Sequence, residues 1–235
     1  MESIYTDETY LNDNPTWHDE DSPWKARQIA SMINENKLQP ASVAEIGCGG
    51  GGVLANLLPF LPDSVQFKGF DIALAALKIA KLKERERLAY YHENMFQNTD
   101  VYDVLMCIDV IEHIPDYYSF AQQCREKAKY KIYHIPLEIN ILSVLRKSFA
   151  FTLSSGRNTV GHLHFFTAEY AVMALKETGH TIIDTRLTDG AIALSRLHPS
   201  FKRSLANIPR RIIALASKSW AARLLGGYSL LVLCE

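Results

Sequence analysis

The sequence predicts an α/β protein in which helices cover both faces of a mostly parallel sheet. Short apolar runs alternate with helical segments from residue 42 onward, which is the pattern of repeated strand–helix units. The chain has 235 residues, of which 48% are hydrophobic and 22% are charged. This size and composition fit one folded core, so we expect a single domain over residues 1–235.

Charge and cysteine usage narrow the class of protein. The 25 Lys and Arg residues nearly balance the 26 Asp and Glu residues, so no overall positive field would hold a nucleic acid. Four cysteines without CxxC spacing favour free thiols in a reducing, cytoplasmic compartment: Cys48, Cys107, Cys124 and Cys234. The acidic start of the chain is unlike a signal peptide, and no apolar run reaches the roughly 18 residues of a membrane-spanning helix.

Residues 1–37 are predicted to form an N-terminal arm and a first helix. Seven acids and no Lys or Arg precede Lys25. Ser22 followed by Pro23 is typical of an N-cap and a first helical position, and apolar residues then recur at helical spacing to about Lys37.

Apolar periodicity predicts the remaining elements. The predicted strands cover residues 42–46, 66–70, 89–91, 102–108, 130–135, 180–187 and 228–234. The predicted helices cover residues 52–61, 73–85, 117–128 and 168–177. Thr167 is a suitable N-cap for the last of these helices, and the apolar run YSLLVLC at 228–234 fits a buried strand.

A glycine-rich loop joins the first predicted strand to the next helix. Residues 43–52 read VAEIGCGGGG, so five of the six residues after Ile46 are glycine. Glycine permits a positive φ and lets a ligand approach the backbone closely. The loop fits both the GxGxxG pattern of dinucleotide-binding proteins and the E/DxGxGxG pattern of S-adenosylmethionine enzymes. A glycine-rich turn without a ligand is the remaining alternative.

Asp71 ends the second predicted strand in the segment FKGFDIA. An acid about twenty residues beyond such a loop accepts hydrogen bonds from ribose hydroxyls, which indicates an adenosine-containing ligand. The structural alternative is that Asp71 caps the helix that follows.

Over residues 42–235 the chain resembles class I S-adenosylmethionine-dependent methyltransferases, especially the branch that includes the quinone-biosynthesis enzymes. The resemblance rests on EIGCGGGG, on FDIA, on YDVLMCIDVIEHIPD at 102–116 and on HLHFFTAEY. It implies a Rossmann-like seven-stranded sheet in the order 3-2-1-4-5-7-6 with the last strand antiparallel. It also implies S-adenosyl-L-methionine as the cofactor.

The resemblance assigns cofactor-binding positions to the ends of the strands. These positions are Glu45, Gly47, Gly49, Gly51, Asp71, Asn94, Met95, Ile108 and Asp109. It implies that Glu45 and the three loop glycines lie under the methionine part of the cofactor and that Asp71 binds its ribose. Ile108 and Asp109 would also approach the methionine part. Asn94 and Met95 would lie near the adenine ring, although the family usually has an acid and a small residue there.

His113 is the candidate catalytic base. Methyl transfer requires an aligned acceptor and, for an oxygen or nitrogen acceptor, removal of a proton. An unperturbed imidazole, with a pKa near 6.5, suits that step. Glu112 and Asp109 could orient His113 or, as the resembling branch suggests, form a divalent metal site with it. The structural alternative is that Glu112 and His113 cap the following loop; our assignment includes no metal.

Two further histidines, His162 and His164, would project to the same side of an extended segment. They could line a substrate pocket, bond backbone groups or form a two-histidine metal site.

In the resembling family the N-terminal arm often closes over the site as a lid. Here the alternative is that the aromatic residues of the arm pack on the sheet. The aromatic and charged residues concerned are Tyr5, Tyr10, Trp17, His18, Trp24 and Lys25.

The expected function is methylation of a small molecule, with oxygen slightly favoured as acceptor and lipid, quinone or sugar acceptors all allowed. The alternatives are a non-catalytic S-adenosylmethionine-binding or partner subunit, and a nicotinamide oxidoreductase. Segments 136–166 and 197–227 are expected to be variable or to face the substrate. Residues 190–234 contain seven basic residues and no acid, so residues 197–223 could contact a membrane peripherally or form a solvated helix on the sheet.

Overall fold

The computed structural model describes residues 19–145, 161–197 and 201–235. Its strands are β1 (Ser42–Ile46), β2 (Gln66–Asp71), β3 (Leu88–His92), β4 (Tyr102–Ile108), β5 (Ala128–Leu137), β6 (Ile182–Thr188) and β7 (Tyr228–Cys234). They form one sheet in the order β3-β2-β1-β4-β5-β7-β6. Strands β1 to β5 are parallel, whereas β7 runs antiparallel to both β5 and β6. The predicted fold class and strand order are confirmed.

The helices cover both faces of this sheet. They are α1 (Ser22–Glu35), α2 (Gly52–Leu57), α3 (Leu74–Ala80), α4 (Tyr117–Lys127), α5 (Ile141–Leu145), α6 (Ala168–Glu177), α7 (Gly190–Leu197), α8 (Phe201–Ala216) and α9 (Lys218–Leu225). One apolar cluster joins the sheet to α4 and α6, and the other joins it to α1, α2 and α3. The buried sheet faces explain why the strands read as nearly continuous apolar runs.

Several helix boundaries differ from the prediction. Ser22 is the first residue of α1 and not its N-cap; Asp21 takes the N-cap position, without a side-chain cap bond. Helix α2 ends at Leu57 and continues as a 3-10 turn over Leu58–Phe60, because Pro59 has no amide hydrogen to continue the α-helical hydrogen bonds. Helix α3 likewise gives way to a 3-10 turn after Ala80. The predicted cap of α6 is present, since Thr167 accepts a hydrogen bond from the Tyr170 amide.

Two segments expected to be variable contain helices in their described parts. Helix α5 follows β5, and residues 146–160 lie outside the described residues. Helices α7 to α9 connect the end of β6 to the start of β7. Because β7 is antiparallel, Tyr228 at its start lies beside Leu137 at the end of β5. Helices α7 to α9 therefore leave and rejoin the sheet at the carboxyl edge of the parallel strands, where ligands bind in such folds.

No helix in the described part of the chain is long and apolar enough to cross a bilayer. All four cysteines are buried and free.

Candidate active site

The glycine loop follows β1 at the carboxyl edge of the sheet. Gly47, Gly49 and Gly51 all have positive φ, which a residue with a side chain rarely adopts. A Cβ on Gly47 would lie 2.6 Å from Val110, and one on Gly51 would lie 2.6 Å from the Tyr90 ring. At these two positions, backbone conformation and packing alone require glycine, whatever ligand the loop binds.

Asp71 holds the loop against the end of β2. One carboxylate oxygen of Asp71 accepts a hydrogen bond from the Gly49 amide at 2.8 Å, and the other accepts one from the Ala73 amide at 2.7 Å. Burial raises the pKa of Asp71, and these backbone donors oppose the shift. The N-cap position of α3 is Ala73, so Asp71 bonds the turn before the helix and is not its N-cap. The ribose contact stays a prediction.

Glu45 lies in the middle of the sheet, directly before the loop. It pairs with Gly69 of β2 and Met106 of β4, and it is 2% exposed. Its Oε2 atom has no hydrogen-bond partner among the described residues. Burial raises the pKa of Glu45 well above its ordinary value, although the charge of Lys25 opposes the shift. The site thus contains a buried acid with an acceptor atom available to a ligand.

Lys25 and Asp109 connect the first helix to the end of β4. Lys25 Nζ lies 2.6 Å from Asp109 Oδ2 and 2.8 Å from Asp21 Oδ2. His134 Nδ1 donates to the other Asp109 oxygen at 2.6 Å, and His134 Nε2 lies 3.0 Å from the Thr188 hydroxyl. Burial alone would raise the pKa of Asp109, but Lys25 and His134 hold it well below its usual range. Asp109 is therefore an ionised member of an ion-pair network.

An acidic turn at residues 19–21 packs on the glycine loop. A Cβ on Gly52 would lie 1.8 Å from an Asp19 carboxylate oxygen. Lys83 connects the two segments, since its Nζ lies 2.9 Å from Asp19 Oδ2 and donates to the Gly50 carbonyl at 2.7 Å. On the opposite side, the Tyr90 hydroxyl donates to the Gly51 carbonyl at 2.5 Å. The loop is consequently held by contacts on both sides.

The predicted adenine-side residues lie in a 3-10 turn after β3. Asn94 caps this turn by accepting a hydrogen bond from the Phe96 amide at 3.1 Å. Met95 is fully buried in the core, and Ile108 at the end of β4 is buried with 6% exposure. Both segments end at the same edge of the sheet as the loop, and their contacts with a cofactor stay predictions.

His113 lies in a 3-10 turn after β4, beside a second histidine. Its ring centroid is 4.8 Å from that of His162, and the two rings meet edge to face. His162 Nδ1 donates to Glu138 Oε2 at 2.8 Å, which fixes the orientation of the His162 ring. The Glu112 carbonyl accepts hydrogen bonds from the amides of Leu163 and His164. The structure thus brings the segment around residue 163 onto the His113 turn.

Glu112 completes this cluster. It is fully buried, and neither carboxyl oxygen has a hydrogen-bond partner among the described residues. Burial raises the pKa of Glu112 well above its ordinary value, and the negative charge of Asp109 adds to the shift. One ligand atom from each of Glu112, His113 and His162 lies within 4.8 Å of the others. This donor set could hold a divalent cation.

The structure revises two of the predicted groupings around His113. Asp109 is bonded to Lys25 and His134, and it is not a member of the donor set that contains Glu112 and His113. His164 is also outside that set: its ring packs against Tyr117 and its Nε2 lies 3.2 Å from the Pro115 carbonyl. His162, and not His164, therefore belongs to the donor set with Glu112 and His113.

Sequence reasoning missed several residues of the site. His134 and Glu138 lie in and after β5, and Tyr90 lies in β3, where each occurs in an apolar or mixed stretch without a recognisable motif. Trp24, predicted as part of a lid, lies edge-on to the His134 ring with centroids 6.0 Å apart. Lys25 belongs to the Asp109 network, and the remaining predicted arm residues lie outside the described residues: Tyr5, Tyr10, Trp17 and His18.

Sequence comparisons relate the chain to known methyltransferases. A family model described as a methyltransferase domain matches residues 17–185. The ubiquinone biosynthesis O-methyltransferase of Colwellia psychrerythraea is 30% identical over 111 residues, which are 44% of each chain. That of Nitrosospira multiformis is 29% identical over 126 residues, covering 48% of this chain and 52% of the relative. The chain spans about half the length of the curated relatives it matches.

Structural comparisons identify the same fold. The magnesium protoporphyrin IX methyltransferase from Synechocystis with bound SAH superposes with a TM-score of 0.66 and 14% identity, covering 100% of this chain and 99% of that one. The N-methyltransferase NodS from Bradyrhizobium japonicum in complex with S-adenosyl-L-homocysteine gives a TM-score of 0.57 and 13% identity, covering 97% and 98%.

Proposed function

Because the chain belongs to the methyltransferase-domain family, we propose that it transfers the methyl group of S-adenosyl-L-methionine to a small-molecule acceptor, preferentially to oxygen. The observation that carries the proposal is the hydrogen bond from Gly49 to Asp71, which joins the glycine loop to the acid at the end of β2. In this pair, a backbone that a ligand can approach closely lies beside the carboxylate that we assign to the ribose.

The charges around the loop support a cationic ligand. Glu45 lies buried before the loop with an unpartnered oxygen, and the Asp19 carboxylate packs on Gly52. A cationic group beside Glu45 would lower the pKa that burial raises and so stabilise its carboxylate, whereas the negatively charged pyrophosphate of a dinucleotide would raise that pKa further. The sulfonium and ammonium groups of S-adenosylmethionine carry the opposite charge. The acids therefore favour S-adenosylmethionine over a nicotinamide dinucleotide.

Different residues of the chain bind different parts of the cofactor in this proposal. We assign Asp71 to the ribose, Asn94 and Met95 to the adenine side, and Glu45 to the ammonium end, with Asp109 held nearby by Lys25. The cofactor, when bound, supplies a methyl group activated by its sulfonium. The loop glycines, Ile108 and the acidic turn exclude water from its methionine part.

His113 is proposed as the group that accepts the acceptor's proton. It lies on the turn after β4, at the same edge as the glycine loop, and its ring is held edge-on by His162. His162 is in turn fixed by Glu138. A base positioned in this way contributes to catalysis by proton removal, which an oxygen acceptor requires.

A metal-assisted variant of the same reaction is favoured by one observation. The two carboxyl oxygens of Glu112 are buried without a described partner, and His113 and His162 lie beside them. These three residues would hold a divalent cation. Such a cation would polarise the acceptor oxygen and lower its pKa. In that case His113 would act as a ligand and not as a base.

We further propose that residues 1–235 act as one domain in the cytoplasm. The single sheet and the two apolar clusters on its faces support one domain. Four free, buried thiols support a reducing compartment.

The test is a transfer assay with S-adenosylmethionine labelled in its methyl group. The protein is incubated with a panel of catechols, phenols, hydroxylated lipids and sugars, and mass spectrometry measures S-adenosylhomocysteine and the labelled product. We expect the label on an oxygen of at least one acceptor. Binding of S-adenosylmethionine without transfer to any acceptor would instead indicate a non-catalytic cofactor-binding subunit.

A further inference from the structure

Helix α8 presents a stripe of large apolar side chains to the solvent. We call these residues the outer stripe: Phe201, Leu205, Ile208, Ile212 and Leu215. Each is between 50% and 90% exposed. Their spacing alternates between four and three residues, which places them on one face of the helix.

The inward face of α8 is attached through Asn207 and Arg210, together with the partly buried Ile213 and Ala214, which pack on the core. Asn207 is 2% exposed and its Nδ2 donates to the Ala191 carbonyl at 3.3 Å. Arg210 donates to the carbonyls of Gly226 and Leu225 at 3.0 and 3.1 Å. A surface helix of a globular protein normally turns most of its large apolar residues inward, whereas five of those of α8 are exposed. An apolar face that points outward marks an interaction surface.

The positive charge of residues 190–234 indicates what kind of partner the outer stripe would bind. Residues 190–234 contain no Asp or Glu, and their basic residues are Arg196, Lys202, Arg203, Arg210, Arg211, Lys218 and Arg223. Arg211 and Lys218 are exposed, whereas Arg223 pairs with Glu169. Self-association through two outer stripes would bring these basic segments together, and like charges would oppose it. An anionic partner is electrostatically favoured.

The neighbouring helices extend the apolar surface. Helix α9 packs against both α8 and α5. It exposes Trp220, and α5 exposes Ile141, Val144 and Leu145. Tryptophan is enriched where a protein meets the boundary between lipid headgroups and acyl chains. Helices that lie in a membrane interface typically combine an apolar face, basic residues beside it and an exposed Trp.

We propose that α8 lies in the surface of an anionic lipid bilayer. The outer stripe enters the boundary of the acyl region, and Arg211 and Lys218 lie at the headgroup phosphates. This contact does not depend on the methyl-transfer proposal. It would hold the carboxyl edge of the sheet, which carries the glycine loop, beside the membrane.

The test is co-sedimentation of the full chain with lipid vesicles. Vesicles of equal parts phosphatidylcholine and phosphatidylglycerol are compared with vesicles of phosphatidylcholine alone, at low and high salt. The variant combines Leu205→Asp with Ile212→Asp, which removes two exposed apolar residues without touching the inward face of α8. Leu82→Asp is the matched control, because Leu82 is also strongly exposed but lies after α3.

We expect the wild type and Leu82→Asp to sediment with the phosphatidylglycerol vesicles, less so at high salt. The double variant should partition at least about tenfold more weakly. Absence of wild-type binding to the phosphatidylglycerol vesicles would overturn the proposal, as would equal binding by the double variant. Light scattering adds a further check: a dimer that the double variant converts to a monomer would show that a second copy covers the stripe instead.

Discussion

The ammonium of Lys25, near the start of α1, lies 2.6 Å from the carboxylate of Asp109 at the end of β4. Both side chains are largely buried, and Asp109 also accepts a hydrogen bond from His134. The contact attaches the first helix to the carboxyl edge of the sheet. It keeps Asp109 ionised inside the protein, because the pKa of this carboxyl is held well below its usual range despite burial.

Replacing Lys25 by methionine keeps an unbranched side chain only one atom shorter and removes its charge. We expect Lys25→Met to lower the free energy of unfolding by about 3–5 kcal/mol, because Asp109 and Asp21 would each lose a buried partner. Urea denaturation measures this change. Lys78→Met, at an exposed position of α3, is the control and should change stability by less than about 0.5 kcal/mol. Equal effects of the two substitutions would show that the Lys25–Asp109 pair contributes nothing specific.

His180 makes stability depend on pH. Burial lowers the pKa of His180 from 6.5 to about 4, and the nearby charge of Lys131 adds to the shift. Its ring nitrogens lie 3.0 Å from the Tyr133 hydroxyl and 3.0 Å from the Thr178 hydroxyl. Between pH 6.5 and about 4, His180 binds a proton in the unfolded chain but not in the folded chain. Neutral His180 therefore makes its full contribution to the free energy of unfolding above the pKa that it has in the unfolded chain. That contribution is lost as the pH falls toward the pKa that it has in the folded chain.

We expect the free energy of unfolding to fall by about 2 kcal/mol more in the wild type than in His180→Gln over this interval. Denaturation in urea at several pH values measures the difference. His92→Gln, at an exposed position at the end of β3, serves as the control and should keep the wild-type pH dependence. Parallel curves for the wild type and His180→Gln would contradict the assignment.

His113→Gln tests the proposed base. On an acceptor that the wild type methylates, we expect turnover to fall by about 10²- to 10⁴-fold, because an amide cannot take up the proton. Affinity for S-adenosylhomocysteine should be unchanged, since His113 is not assigned to the cofactor. His164→Gln, on the same surface but outside the Glu112 cluster, should keep most of the turnover. A parallel loss of turnover and cofactor affinity in His113→Gln would indicate a structural role.

Chelation separates the two roles available to His113. If His113 acts as a base, treatment with EDTA leaves turnover unchanged, and added Zn²⁺ or Mg²⁺ has no effect. If Glu112, His113 and His162 hold a cation, EDTA abolishes turnover and one of these ions restores it. Glu112→Gln, measured in the same assay, should then raise the concentration of ion required. We expect the first result, and the second would replace the base by a metal-assisted mechanism.

Local patterns in the sequence were sufficient for the central part of the sheet. The apolar run of β1, the five glycines after it and the acid at the end of β2 are neighbours in sequence, so their geometry follows from strand and turn rules. The strand order came from the family resemblance, and the sheet confirms it.

Contacts between distant segments could not be predicted in this way. Nothing in the spacing of Lys25, Asp109 and His134 indicates that three elements bring them together. The spacing also does not indicate that His162, which follows β5 in the chain, packs against His113. Helix α8 shows another limit. Periodicity reveals its apolar stripe, but only the structure shows that the stripe is exposed while Asn207 and Arg210 face inward.

The proposal that the glycine loop and Asp71 bind an S-adenosyl cofactor is tested most directly by calorimetry. Wild-type protein, Asp71→Ala and the control Asp63→Ala, at an exposed position near Arg87, are each titrated with S-adenosylhomocysteine and, in parallel, with NAD. We expect S-adenosylhomocysteine alone to bind, and Asp71→Ala to lose about 1–3 kcal/mol of affinity without unfolding. Binding of NAD alone, or an unchanged affinity in Asp71→Ala, would contradict the assignment.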